Sequence, residues 1–418
     1  MSGERGAHGW LWRLGVGVGV LLVLGLIYAG FDWYRAAQIW PDELPTLEPP
    51  APVLPPDPSG EARLAALAAE REGLTPQAER RRALVDAEGA PVVPAEGWPA
   101  PSLPATAALD AVLALSGVYF EPKRIDADTP NLIPVMEAAD ARGVRALRRF
   151  VEGDVTGAWG DVRSLVWLGQ LLEHGGANLL VTMIGAAIEQ KAFHLGHRLL
   201  AAGGWDPAAA GVARALDEAG ARPSPIVAAL TGECLGMDML FRDMGDSSYE
   251  ELMAMSELRH PPPPPQAAGQ DEEAGEEEDD AGGTWLYDAD ATRAMHRVHC
   301  LALIAAAQQP RSSRSLPVMP ELYGGWWNVG QMLDNPVGRI LLSISSPVWD
   351  RYLGRMDELA ARRLRLRLAL AKAAYRADTG AEAASVVALV PRWLAVAPVD
   401  PMTDAPLGLD PGPVEEGE

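Results

Sequence analysis

Residues 133–204 read IPVMEAADARGVRALRRFVEGDVTGAWGDVRSLVWLGQLLEHGGANLLVTMIGAAIEQKAFHLGHRLLAAGG. In 133–152 apolar residues recur at helical spacing, and the run stops at Gly153-Asp154. In 158–174, Leu165, Leu168, Leu171 and Leu172 share one face, and Gly175-Gly176 follows. Asn178 is placed to cap a third helix over 179–202, which stops at Gly203-Gly204. A glycine just past the last periodic residue is a helix stop signal, because it can take the left-handed conformation that closes the final turn. Helices of this length joined by short glycine turns pack as antiparallel neighbours. The stretch therefore predicts an all-α domain built from helical hairpins.

Composition agrees. Hydrophobic residues make up 48% of the 418, enough for one large or two ordinary domains. Ala and Leu dominate, while Ile, Phe and Thr are sparse, which disfavours an extensive sheet. The turn Glu152-Gly153-Asp154 between amphipathic helices resembles a tetratricopeptide-like hairpin, but no clean repeat period accompanies it. The net charge of −22 repels phosphate backbones and argues against nucleic-acid binding. Cys234 and Cys300 fit no zinc motif; they can pair as one disulfide in an oxidising compartment or stay free and buried.

Outward from this domain, the N-terminus predicts an anchor. Residues 14–31 are uncharged and approach the length needed to cross a bilayer. Trp10 and Trp12 precede the span, and Trp33 and Tyr34 follow it, as interfacial aromatics do. Arg5 and Arg13 before it place residues 1–13 in the cytoplasm and the rest outside. Ile27-Tyr28-Ala29-Gly30 offers bulky residues where a signal-peptide cleavage site needs small ones, so the span is expected to be retained. Gly15 and Gly19 have the small-residue spacing through which two such helices can approach, a route to self-association.

Eight prolines between 41 and 60, and a second proline-rich stretch at 91–104, define a stalk over 32–104 with short helices inside it. The helical domain then occupies 105–260 and 284–395. Pro261 to Pro265 and the acidic run that follows make 261–283 a solvated loop. One sharper expectation is that this loop docks on a basic helix over 347–377, which carries Arg355, Arg362, Arg363, Arg365, Arg367, Lys372 and Arg376. Residues 396–418 read as an irregular tail.

Chemistry-bearing patterns are few. His194 with His197, and His296 with His299, are His-x-x-His pairs whose spacing puts two imidazoles on one helical face. Packed together, the pairs offer four nitrogens to Zn or Cu, with Glu189 or Cys300 close in sequence; ordinary surface histidines are the alternative. Met237, Met239, Met244, Met253 and Met255 suit Cu(I), and suit core packing better. Gly245-Asp246-Ser247-Ser248 has the look of a hydrolase block but follows a helix, not a strand. Trp326 and Trp327 can grip a partner or fill a helix interface. No phosphate loop, nucleophile elbow or zinc-protease motif occurs.

The C-terminal segment runs Ala371-Lys372-Ala373-Ala374-Tyr375-Arg376-Ala377-Asp378-Thr379-Gly380, then Leu389-Val390-Pro391-Arg392-Trp393-Leu394 and Pro398-Val399-Asp400-Pro401-Met402-Thr403-Asp404-Ala405-Pro406-Leu407. It resembles the tail of a family of uncharacterised, membrane-anchored bacterial helical proteins, and more loosely the end of type II secretion pseudopilins. Asn335-Pro336-Val337-Gly338-Arg339 is similar to a recurrent feature of the same family. The resemblance implies bacterial origin and a periplasmic domain on the inner membrane. Together these features lead to the expectation of a protein-interaction or scaffold module that binds other envelope proteins. A metal-binding protein and an envelope enzyme are the alternatives.

Overall fold

The computed structural model describes residues 44–100, 103–124, 131–176, 178–245, 287–317, 335–345 and 349–410. The candidate span 14–31 with Gly15 and Gly19, the acidic loop 261–283, Met253, Met255, Asp246 to Ser248, Trp326 and Trp327 lie outside them. Among the described residues the regular structure is helical, and the only β pairing is two isolated bridges, Phe120 with Gly176 and Val399 with Pro406. No single described helix is long and apolar enough to cross a membrane.

The chain divides into two units. The first comprises Met1–Leu47, Met237–Leu301 and Pro317–Pro347; the second comprises Glu48–Gly236, Ala302–Leu316 and Val348–Glu418. In the second, α1 (Gly60–Ala69), α2 (Arg71–Leu74), α3 (Ala78–Asp86) and α4 (Leu103–Leu113) pack beside a layer of longer helices: α5 (Ile133–Val151), α6 (Val155–Glu173), α7 (Leu179–Ala201) and α8 (Ala209–Gly220). After α9 (Pro225–Gly245), α10 (Ala289–Ala307) and α11 (Pro336–Ser345) comes the longest helix among the described residues, α12 (Trp349–Thr379), which packs on α7 and α8.

The helix ends follow the sequence signals. Gly153 closes α5 with φ +89°, and the Asp154 side chain accepts the Gly157 N–H at 2.9 Å to start α6. Asn178 accepts the Val181 N–H at 3.0 Å and so caps α7; Gly203 closes it with φ +77°. The core of this unit is large. Trp159, Leu168, Leu171, Leu172, Ile188, Leu195 and Leu199 are all 0% exposed. Burying each such side chain contributes on the order of 1.5–3 kcal/mol. The Trp159 indole N–H donates to the Gly204 carbonyl at 2.7 Å, so the largest core residue is also polar-satisfied.

The proline-rich run is not a free spacer throughout. Leu54 is buried in the core of the second unit, Tyr119 O–H donates to the Pro50 carbonyl, and Ser116 O–H donates to that of Pro55. The tail is ordered through 410. The carboxylate of Asp400 accepts the Met402 N–H, and the Asp400 N–H donates to the Ala405 carbonyl at 2.9 Å. Leu389 is buried against Leu368 and Ala371, and Tyr375 and Trp393 meet edge to face at 4.9 Å. These contacts explain the residue pattern of the tail: it folds back along α12.

In the first unit, Met237, Phe241, Met295 and Leu342 form a small core, with Met244 against it, so these methionines fill space. Asn335 explains the Asn-Pro-Val-Gly-Arg pattern. Its Oδ1 accepts the Gly338 and Asp288 N–H groups, and its Nδ2 donates to Asp288 O and Thr292 Oγ1. Asn335 thus caps α11 and ties its start to that of α10.

Candidate functional site

A cleft of about 1280 Å³ opens in the second unit between α7 and α12, edged by the tail. Lys191, His194 and His197 recur every three residues along the α7 wall, and Arg362, Arg365, Lys372 and Arg376 along that of α12. Five cationic side chains therefore line the cleft against three carboxylates, Asp86, Glu382 and Asp410. In a chain of net charge −22 this is a local reversal of sign.

Most of these cations are oriented by ion pairs at their flanks. Lys191 pairs with the buried Asp140, and Lys372 with Asp410. Arg376 meets Glu382 at 3.0 Å, and Arg365 lies 4.0 Å from Asp400. On the side of α12 away from the cleft, Arg367 bonds Asp217 of α8 at 2.7 Å. The folded domain thus supplies its own acids to the basic helix.

His194 and His197 both reach the cleft, but they do different work. His194 Nε2 lies 3.1 Å from the Ala87 carbonyl, just past α3, and as the N–H tautomer donates to it. Arg198 binds the Leu84, Val85 and Gly89 carbonyls beside it, so α7 caps the C-terminal end of α3. His197 is exposed along the wall. Even so, the surrounding protein, with His194 and Arg365 alongside, holds its imidazole below the ordinary histidine range.

The other pair belongs to the first unit. His296 is buried edge-on to Phe241 at 5.2 Å and has Cys300 one turn on, with Sγ 3.5 Å from its Nε2. Burial holds His299 below its ordinary pKa. Cys234 and Cys300 are both disulfide-bonded, so neither offers a thiolate. Among the described residues, His194, His197 and His299 belong to no group of three or more closely spaced ligating side chains.

Behind the cleft wall lies a feature that pattern reading missed. Glu173 on α6 and Glu189 on α7 are both 0% exposed, and both bind Arg363 of α12, Glu173 at 3.3 Å and Glu189 at 2.5 Å. Two glycines bring the acids together. A Cβ at Gly169 would sit 2.8 Å from the Gly185 carbonyl, and one at Gly185 would sit 2.6 Å from the Gly169 carbonyl. α6 and α7 therefore cross at backbone contact, and each carries its glutamate one turn beyond its glycine. Gly169-x-x-x-Glu173 and Gly185-x-x-x-Glu189 were the available signal.

One arginine faces two carboxylates here. Burial, and then the Glu189 carboxylate, push the Glu173 carboxyl well above the ordinary range, against the pull of Arg363. Arg363 stays charged: burial opposes its charge, and Glu189 and Glu173 together outweigh that. The neighbouring His174 is 4% exposed, and burial, with Arg222 and Arg363 nearby, lowers its pKa to about 4. Glu189 is thus committed to Arg363 and Glu173, not to the histidines of its own helix.

No protein-family model, curated protein or solved structure matches the chain.

Proposed function

We propose that this chain is a bitopic bacterial inner-membrane protein whose periplasmic helical domain binds other envelope proteins, and that the cleft between α7 and α12 receives an acidic segment of such a partner. The observation that carries the reading is the row of Lys191, Arg362, Arg365, Lys372 and Arg376 facing a common space in an otherwise strongly acidic molecule. Clusters of arginine and lysine recognise carboxylate-rich segments by charge-assisted hydrogen bonds, and flanking ion pairs reduce the ordering cost of binding. Leu200 and Leu409, both half-buried, supply apolar surface between the charges. The uncharged run 14–31 and the tail resemblance support the location, and the bonded state of Cys234 and Cys300 suits an oxidising compartment.

The test is a titration of the full chain in zwitterionic nanodiscs with a fluorescent glutamate-rich peptide across a salt series. Affinity is expected to fall steeply with salt, and to weaken about tenfold when Lys372 and Arg376 are replaced together by Gln. Salt-independent binding, or an unchanged affinity in the double variant, overturns the reading.

A further inference from the structure

A second opening in the same unit lies along α5, where it meets α4 and the loop before it. Its cavity volume is about 260 Å³. Its floor is apolar: Leu74, Ala105, Leu109, Ala138 and Val144 are all buried there. Its rim is cationic. Arg81, Arg142, Arg145, Arg148 and Arg149 line it against a single carboxylate, Glu152.

Four acids hold four of these arginines, and of those acids only Glu152 lines the groove. Asp161 of α6, 2% exposed, receives Arg142 at 3.2 Å, Arg145 at 3.0 Å and Arg149 at 3.2 Å. Asp110 of α4 takes a second bond from Arg142, Asp154 lies 3.6 Å from Arg149, and Glu152 pairs with Arg148 at 2.8 Å. Arg81 is spent on backbone, bonding the Leu74 and Ala100 carbonyls. Burial pushes the Asp161 carboxyl above the ordinary carboxylate range, against the pull of Arg145 and Arg149. The Arg142 side chain is 5% exposed, and its Nε–H is buried with no hydrogen-bond acceptor. A buried donor without a partner is rare in a folded protein and asks for an acceptor.

We infer that this groove binds a small amphiphilic carboxylate, its apolar part on the Leu74–Leu109–Val144 floor and its carboxylate among the arginines of α5. The occupant's size follows from the volume. At roughly 30 Å³ per water-sized group the cavity holds about nine heavy atoms, close to the ten of an eight-carbon carboxylate. The inference is independent of the wider cleft between α7 and α12, with which the groove shares no lining residue.

The experiment is equilibrium dialysis of isotopically labelled octanoate against the full chain in zwitterionic nanodiscs, with empty nanodiscs subtracted. One saturable site is expected. Octylamine, which has the same chain and the opposite charge, is expected to bind at least tenfold more weakly. Arg145→Gln with Arg149→Gln is expected to weaken octanoate at least tenfold, and Ala141→Phe, which fills the groove, to abolish it with the circular dichroism unchanged. Equal binding of octanoate and octylamine, or octanoate binding that survives Ala141→Phe in a folded variant, overturns the inference. Because the readout is the ligand pair as well as the variants, a variant that fails to fold leaves the proposal testable.

Discussion

Glu173 and His174 are adjacent, both buried, and titrate in opposite senses. A carboxyl whose folded pKa lies above its unfolded value contributes fully below the unfolded value, 4.5 for Glu173, and that contribution is lost as pH rises through the folded pKa. A histidine whose pKa falls from 6.5 to about 4 contributes above 6.5, and that contribution is lost as pH falls toward 4. The histidine alone accounts for about 3 kcal/mol across that window. Urea unfolding at pH 5 and pH 8 separates the two. Glu173→Gln is expected to remove the alkaline loss, because a neutral amide donates to Glu189 and leaves one carboxylate for Arg363. His174→Gln is expected to remove the acid loss. A Glu173→Gln variant whose midpoints track the wild type at both pH values would contradict the raised Glu173 pKa. In the cleft, protonation of His197 below pH 6.5 adds positive charge, so acidic peptide is expected to bind more tightly as pH falls, read by the same fluorescence titration.

At the scale of elements, the hairpins α5–α6–α7 were legible because their signals are local. Gly153, Asp154, Asn178 and Gly203 each act within a turn of their own position. What joins the helices was not legible. Nothing near Arg363 in sequence points to Glu173 or Glu189, which lie 190 and 174 residues away. The histidine pairs were visible as spacing, but spacing could not show that His194 is occupied by the Ala87 carbonyl. The tail likewise read as irregular because its order comes from contacts with α12, not from periodicity. The glycine crossing of α6 and α7 makes a sharp prediction. Gly169→Ala or Gly185→Ala puts a methyl against a facing carbonyl and is expected to cost about 1–3 kcal/mol in chemical denaturation. Gly160→Ala, on the same α6 with nothing within 4 Å of its Cβ, is expected to stabilise by about 0.5–1 kcal/mol. Equal effects at 160 and 169 would contradict the close crossing.

At the scale of the whole molecule, a helical domain carries a cationic cleft within an acidic chain, and the proposed extracytoplasmic setting rests on the N-terminal run. The two cysteines bear on that setting. When membranes are denatured in the presence of maleimide, Cys234 and Cys300, both buried in the fold, are expected to stay unlabelled unless reductant is added; labelling of both without reductant would contradict an oxidising location. The cleft itself is the central claim, and one measurement tests it most directly. A photoreactive glutamate-rich peptide is bound to the full chain in nanodiscs, irradiated, and its attachment points are mapped by mass spectrometry. The account predicts crosslinks within 187–201 and 362–376, suppressed by salt and by the Lys372→Gln, Arg376→Gln variant. Crosslinks scattered over the surface, or gathered on the arginine row 142–149 of α5, would contradict it.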